Sequence, residues 1–289
     1  MTQQNTRAGI ALMIAAVAVF SLQDGLSRHL ATHYNTLMVL AIRYWFFAAF
    51  VIMLALRQKA PLAQTVRTRH LLLHLARAAL LVVEVCAMVQ SYALIGLVNT
   101  HAVFSSCPLI IVALSGPILG ERVGWQRWLA ILAGFGGILF ILQPGSGVFS
   151  LASLLPLASA LMYALYSVLT RMSASTEPSF RSLFWSGMIG AVLVTPIGLW
   201  NWEPMTGADW GWMALYGTMA MSANWLLIKC YEVAEASAVQ PYAYLQLVFA
   251  SALGIVAFGE VLQWQVVTGA AIVVAAGIVA LWQDRHQPA

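Results

Sequence analysis

Asp24, Glu84 and His101 are ionisable side chains set inside long apolar runs. A charge facing lipid is costly, so such groups face a bundle interior or a water-filled cavity. Glu84 has no acidic neighbour in sequence. Arg77, seven residues earlier, falls on the same helical face and is its candidate partner. A carboxylate so placed can hold a substrate amine or carry a proton, and the competing reading is an ion pair that glues the bundle. Asp24 stands beside Gln23 on a stripe with Phe20 and Ser27, either as a second protonatable group or as a mouth residue near Arg28. His101, Ser105 and Pro108 recur at i, i+4 and i+7. Histidine titrates near neutral pH, proline inside a spanning helix frees a carbonyl and permits a kink, and the rival reading of His101 is an interface residue.

Neutral polar and aromatic residues extend the set. Ser159, Tyr163, Tyr166 and Thr170 share a helical stripe, and Tyr242, Gln246 and Phe249 share another, with Tyr244 beside them and Pro241 before them. Tyrosine joins an apolar body to a hydroxyl, which suits an amphipathic substrate as well as ordinary packing. Met88, one turn after Glu84, and Asn224 complete the expected substrate-binding residues: Gln23, Glu84, Met88, His101, Ser105, Tyr163, Tyr166, Asn224, Tyr242, Tyr244 and Gln246. Glu84 and Asp24 are the candidates for coupling transport to protons.

The elements that position these residues follow from composition. Of 289 residues, 61% are hydrophobic and 8% charged, against about 25% charged in soluble domains. Apolar runs long enough to cross a ~30 Å hydrocarbon core recur from end to end. They place ten transmembrane helices at about 8–30, 36–57, 71–95, 98–118, 125–143, 151–171, 180–202, 209–230, 237–258 and 263–282. The apolar run after Arg7 exceeds signal-peptide length and leads into further spans, so it reads as the first helix. Lys229, Glu232 and Glu235 read as a solvated inner rim. Trp125, Trp200, Trp202, Trp210, Trp264 and Trp282 read as interface anchors.

Lys and Arg orient the chain. With the N-terminus in the cytoplasm, twelve of the fourteen fall on the inner side; Arg28 falls outside and Arg43 lies within the second span. This positive-inside bias puts both termini in the cytoplasm.

The two halves repeat. Ala113-Leu114, Gly120-Glu121 and Trp125-Gln126 return as Ala252-Leu253, Gly259-Glu260 and Trp264-Gln265, and Phe20, Leu22, Leu26 and Arg28 match Tyr163, Leu165, Leu169 and Arg171. Such self-similarity marks a duplication. Each half, 8–143 and 150–282, holds five spans. An odd number inserts the second half upside down, so the expected fold is all-α and integral to the membrane, with two inverted five-helix repeats. Inverted repeats are typical of secondary transporters, whose substrate site lies near the midplane between the halves. Spans one, three, four, six, eight and nine carry the mid-span polar residues and should line it. Spans five and ten should be peripheral, with Gly134, Gly136, Gly137, Gly269 and Gly277 packing helices within a half or at a dimer face.

With both repeats in view, the chain resembles the EamA-type, ten-helix branch of the drug/metabolite transporter superfamily. The features are Ala93 to Leu97 leading into a small-residue helix with Pro108, then Gly120-Glu121-Arg122; and Tyr231 to Ala238 leading into Tyr244-Leu245-Gln246, then Phe258-Gly259-Glu260. The resemblance implies a bacterial inner-membrane carrier that works by alternating access, commonly as an exporter. It is most similar to amino-acid exporters, including those for aromatic amino acids; the alternative is a multidrug or cationic-compound exporter. One departure is Val261 where the first half has Arg122, which leaves Glu260 without an adjacent arginine. The implied partners are a small-molecule substrate and the lipid bilayer, with the protein a monomer or homodimer and no cofactor.

Other classes fit poorly. Cys86, Cys107 and Cys230 show neither disulfide nor zinc spacing. No basic run interleaved with aromatics points to nucleic acid. There is no nucleophile elbow or metal motif of an enzyme, no P-loop of a self-contained ATP pump, and no ring of charge as in a channel.

Overall fold

The computed structural model describes residues 6–57, 66–120, 124–142, 151–174, 177–234, 239 and 242–284. Lys59, Glu121, Arg122, Glu235, Pro241 and Arg285 lie outside them, as do the side chains of Arg127, Arg171 and Glu232. The described elements are all helical: α1 Thr6–His33, α2 Thr36–Leu56, α3 Leu71–Phe104, α4 Cys107–Leu119, α5 Trp125–Leu142, α6 Leu154–Ala174 after a 3-10 turn, α7 Ser179–Trp200, α8 Gly207–Val233, α9 Leu245–Phe258 and α10 Trp264–Asp284. Four described helices are long and apolar enough to cross a membrane by length and composition: Arg7–His33, Thr36–Leu56, Leu71–Phe104 and Phe180–Trp200. Five shorter apolar helices accompany them.

Local chemistry sets the ends. Asn35 accepts a hydrogen bond from Leu37 N at 2.9 Å and so caps α2. Thr206 caps α8 by accepting from Asp209 N at 3.2 Å. Each side chain satisfies a backbone donor that has no partner within its helix. Gly120 and Gly259 end α4 and α9 with φ of +71° and +63°, a left-handed conformation that side chains other than glycine's resist.

The fourth expected span is not one continuous helix. Its first part, through Phe104, continues α3 beyond a break at Gly96, whose φ of +84° and ψ of 172° are non-helical. Its second part is α4, which starts anew after Ser105 and Ser106. The reason is local. Pro108 has no N–H to continue the ladder, and the Ser105 and Ser106 hydroxyls donate instead to the Ala102 and Val103 carbonyls at 2.6 and 2.8 Å. In the ninth span the described helix likewise starts late, with Tyr244 at its N-cap.

The bundle closes by pairs. α5 lies on α10 and α2 on α7; α1 packs on α8 and α9, while α3 packs on α6 and α7 and α4 on α6. At α5–α10, a Cβ on Gly137 would meet Gly269 O at 2.8 Å, and a Cβ on Gly269 would meet Gly137 O at 2.7 Å. These two glycines let the backbones touch, and they do so between the two halves rather than within a half or at a dimer face as expected, because α5 and α10 close on each other across the repeats. Large apolar side chains such as Leu72, Val256 and Trp200 point outward, the arrangement a lipid solvent favours. The polar residues gather inside.

Candidate functional site

The densest polar group surrounds Asp24 on α1. Its side chain is buried, and three elements supply the neighbours. Gln23 Nε2 donates to Asp24 Oδ1 at 3.3 Å. From α9, Gln246 Nε2 donates to Asp24 Oδ2 at 3.2 Å. From α3, His101 Nε2 lies 3.1 Å from Asp24 Oδ2, within ion-pair distance though not aligned as a hydrogen bond. Tyr92 joins the group through its ring, which stacks on His101 with centroids 5.5 Å apart and planes 21° from parallel. Gln23 Oε1 is buried without a hydrogen-bond partner. The group therefore offers a polar edge beside a flat aromatic stack.

Glu84 lies at the α3–α6 contact. The Ser159 hydroxyl sits 3.1 Å from Glu84 Oε1, 3.2 Å from the Glu84 carbonyl and 3.5 Å from Met88 Sδ. Arg77 is not its partner, which corrects the pairing expected from their seven-residue spacing. Arg77 turns towards the start of α3: its Nε donates to Thr170 Oγ1 at 3.0 Å and its guanidinium lies 5.2 Å from the Tyr166 ring centroid. Its Nη1 lies 3.1 Å from His74 Nδ1. Arginine has only N–H donors, so His74 Nδ1 must accept. The ring proton then sits on Nε2, which donates to Glu177 Oε2 at 2.9 Å. Glu177 also accepts from Thr68 Oγ1 at 2.7 Å and from Arg69 N at 3.2 Å. Burial works against the ionised carboxylate, but the hydrogen bonds from His74, Thr68 and Arg69 outweigh it and hold the Glu177 carboxyl down at about 2.

At the opposite end of the bundle stands Glu260. It ion-pairs with Arg28 of α1. Its two oxygens also accept from Leu97 N and Val98 N, each at 2.8 Å. These are backbone donors freed where α3 breaks at Gly96, so the carboxylate acts as the cap of the segment that follows. A Cβ on Gly96 would meet Glu260 Oε1 at 2.6 Å, so glycine is required there twice, for its φ and for the space. Arg28 also lies 4.2 Å from the Phe258 ring centroid. The missing arginine after Glu260 is thus supplied from another helix.

The remaining expected residues are scattered. Ser105 uses its hydroxyl on its own helix. Asn224 Nδ2 donates to Ala220 O, one turn back on α8, at 2.8 Å. Tyr242 packs with Met13, Val17 and Cys230 near the start of α1. Tyr244 places its hydroxyl over Gly277 of α10. Tyr163 stacks edgewise on Phe104, centroids 5.8 Å apart, and Tyr166 serves Arg77. Of the sequence candidates, Gln23, Asp24, His101 and Gln246 converge, and Glu84 with Met88 forms a second group. Sequence reasoning missed Tyr92, one of several tyrosines. It also passed over Arg43 of α2, which lies 5.7 Å from the centroid of the Tyr216 ring on α8 and within electrostatic reach of Glu84 and Asp24. A mid-span arginine was signal enough to find it.

Comparison with known proteins matches the chain to transporters. The model of the EamA-like transporter family matches residues 7–143 and 150–282. A riboflavin transporter of Vibrio cholerae is 28% identical over 96% of this chain and 94% of its own. A riboflavin transporter of Rhizobium johnstonii is 30% identical over 96% and 92%. An S-adenosylmethionine uptake transporter of Rickettsia prowazekii is 23% identical over 96% and 93%. A solved crystal structure superposes with a TM-score of 0.69 at 16% identity, covering 98% of this chain and all of the other, which supports the fold alone. The names these relatives carry are vitamin and nucleoside cargoes. They do not support the expected likeness to aromatic amino-acid exporters.

Proposed function

Because this chain belongs to the EamA-like transporter family, and so is a multi-pass membrane transporter rather than an enzyme, we propose that it carries a flat heteroaromatic metabolite of riboflavin type by alternating access. The observation that carries this reading is the Asp24 group. The Tyr92–His101 stack is a buried pair of rings packed face to face, with the polar atoms of Asp24, Gln23 and Gln246 gathered at its edge, an interior that a flat ring carrying polar edge atoms would match. Binding sites for such ligands are mostly apolar, with a few placed polar groups of this kind. A stacked ring with a hydrogen-bonded edge reads an isoalloxazine or purine ring better than it reads a plain aliphatic amino acid.

The working frame is two inverted halves, 8–143 and 150–282, in a bacterial inner membrane with both termini cytoplasmic. The helix pairing supports it. With span three as the first part of α3 and span four completed by α4, exchanging the halves maps α5–α10 and α2–α7 onto themselves. The same exchange maps α1–α8 onto the α6–α3 contact and α1–α9 onto α6–α4. The loop distribution of Lys and Arg supports the orientation.

A second reading is a cationic amino-acid derivative, of which S-adenosylmethionine is one. It is favoured by two interior carboxylates, Asp24 and Glu84, and it keeps the amino-acid and cationic-compound expectations within a single chemistry. Proteoliposomes containing only this protein test both. Radiolabelled riboflavin should accumulate inside to the external concentration without ATP, faster than in empty liposomes. S-adenosylmethionine flux without riboflavin flux favours the second reading. Flux of neither above the empty-liposome rate rejects both.

A further inference from the structure

Arg43 is set well inside α2, where an unpaired cation is costly and is retained for a partner or a function. The other described arginines of the interior are provided for. Arg28 has Glu260, and Arg77 has Thr170, His74 and the Tyr166 ring. Among the described residues Arg43 makes no hydrogen bond or ion pair; its one contact of this kind is the Tyr216 ring at 5.7 Å. Its N–H donors are therefore unspent. The Tyr216 hydroxyl beside it is fully buried and also lacks a partner. Glu84 and Asp24 attract Arg43 from a distance without touching it. A guanidinium whose donors stay free next to an unpartnered hydroxyl, facing the same interior as the Asp24 group, is arranged to receive something from outside the chain.

We propose that Arg43 is the anchor of the cargo, taking a planar pair of acceptor atoms in bidentate fashion, with Tyr216 donating beside it. The assignment rests on the cargo reading above. The guanidinium fork matches two acceptors held in one plane, which a lysine's point charge does not. Two sources present that chemistry: the carboxylate of an amino-acid derivative, or the adjacent ring nitrogen and carbonyl oxygen on the edge of a flavin. Either would engage guanidinium donors that no other described side chain takes up and the buried Tyr216 hydroxyl, and a cargo lacking the pair would leave that hydroxyl buried and unpaired. That asymmetry makes Arg43 a specificity determinant rather than a general attractor.

The full chain in nanodiscs tests this by calorimetric binding and melting temperature, for the native protein, Arg43→Gln and Arg43→Lys. The probes are riboflavin with its 1-deaza and 5-deaza analogues, and S-adenosylmethionine with its decarboxylated form. The native protein should bind one parent compound at least tenfold more tightly than the analogue that lacks an acceptor. Arg43→Gln should lose that preference and bind the parent at least tenfold more weakly, with a melting temperature equal to or above the native value. Arg43→Lys should not restore the preference. Loss of discrimination in the riboflavin arm assigns the flavin edge, and loss in the other arm assigns the carboxylate. Native discrimination that persists in Arg43→Gln overturns the assignment, as does a lowered melting temperature with binding unchanged, which would make Arg43 an α2–α8 brace. A native protein that binds neither parent overturns the cargo reading itself, and this assignment falls with it.

Discussion

Two carboxylates, Glu260 and Glu177, organise opposite ends of the bundle, and they do it differently. Glu260 closes a backbone defect. It joins the end of α9 to Arg28 of α1 and to the two N–H groups exposed by the break at Gly96, so one side chain ties three elements at the point where span four begins. Glu177 closes a loop. It gathers Thr68, Arg69 and His74 around the start of α3 and Arg181 from α7, and connects to the interior through the His74–Arg77 chain. The first hub has no substitute for its charge, because backbone donors and an arginine both depend on it. The second shares its work among several partners: Thr68, Arg69 and His74 through hydrogen bonds, and Arg181 as an ion pair at 3.8 Å. On the proposed alternating-access reading, Glu260 would act as a latch at its end of the bundle, because it holds an arginine and two backbone donors at once.

Glu260→Gln should break that contrast most. It strips Arg28 of its counter-charge and turns one of the two accepting atoms into a donor that faces a backbone N–H. Breaking such a partly buried pair costs about 3 kcal/mol or more. Thermal melting in detergent should show the larger loss here, and a variant that melts with the native protein would remove the latch from the account.

Glu177→Gln should cost less, about 2 kcal/mol for the charge-assisted bonds that it weakens. Its effect depends on pH. The Glu177 carboxyl is held at about 2, below its ordinary value of 4.5. A depressed carboxylate stabilises the fold fully above its unfolded value and loses that contribution as pH falls through the folded one. The gap in stability between native and variant should stay constant from neutral pH down to about 4.5, then narrow towards about 2. A gap that widens in acid would contradict the assignment of the charge to Glu177.

The same comparison shows what was legible in the chain. Glu260 was marked by the repeat of Gly-Glu and by the absent arginine after it, yet its partner lay 232 residues away in sequence, beyond any local spacing rule. Glu84 and Arg77 satisfied helical spacing and still diverged, since Thr170 and His74 offered Arg77 nearer partners. Ten helices and their order followed from hydropathy, which acts locally, whereas the glycines marked close packing without naming the partner, which the fold supplies across the halves at α5–α10. Ser105 and Asn224 were polar and mid-span but spent their hydrogen bonds within their own helices, which a helical wheel does not reveal. The convergence of Gln23, Asp24, His101 and Gln246 was legible only as separate candidates, because three helices had to be docked before the atoms met.

Trans-stimulated exchange of riboflavin tests the central claim most directly. Proteoliposomes preloaded with unlabelled riboflavin are placed in a trace of labelled riboflavin, and early entry of label is compared with that in proteoliposomes loaded with buffer alone. A carrier with one alternating site returns faster when cargo is bound on the inside, so preloading should speed the entry of label and produce a transient overshoot. Entry at the same rate with and without preloading, rising in proportion to concentration with no saturation, would contradict alternating access and leave the interior groups as part of an open path.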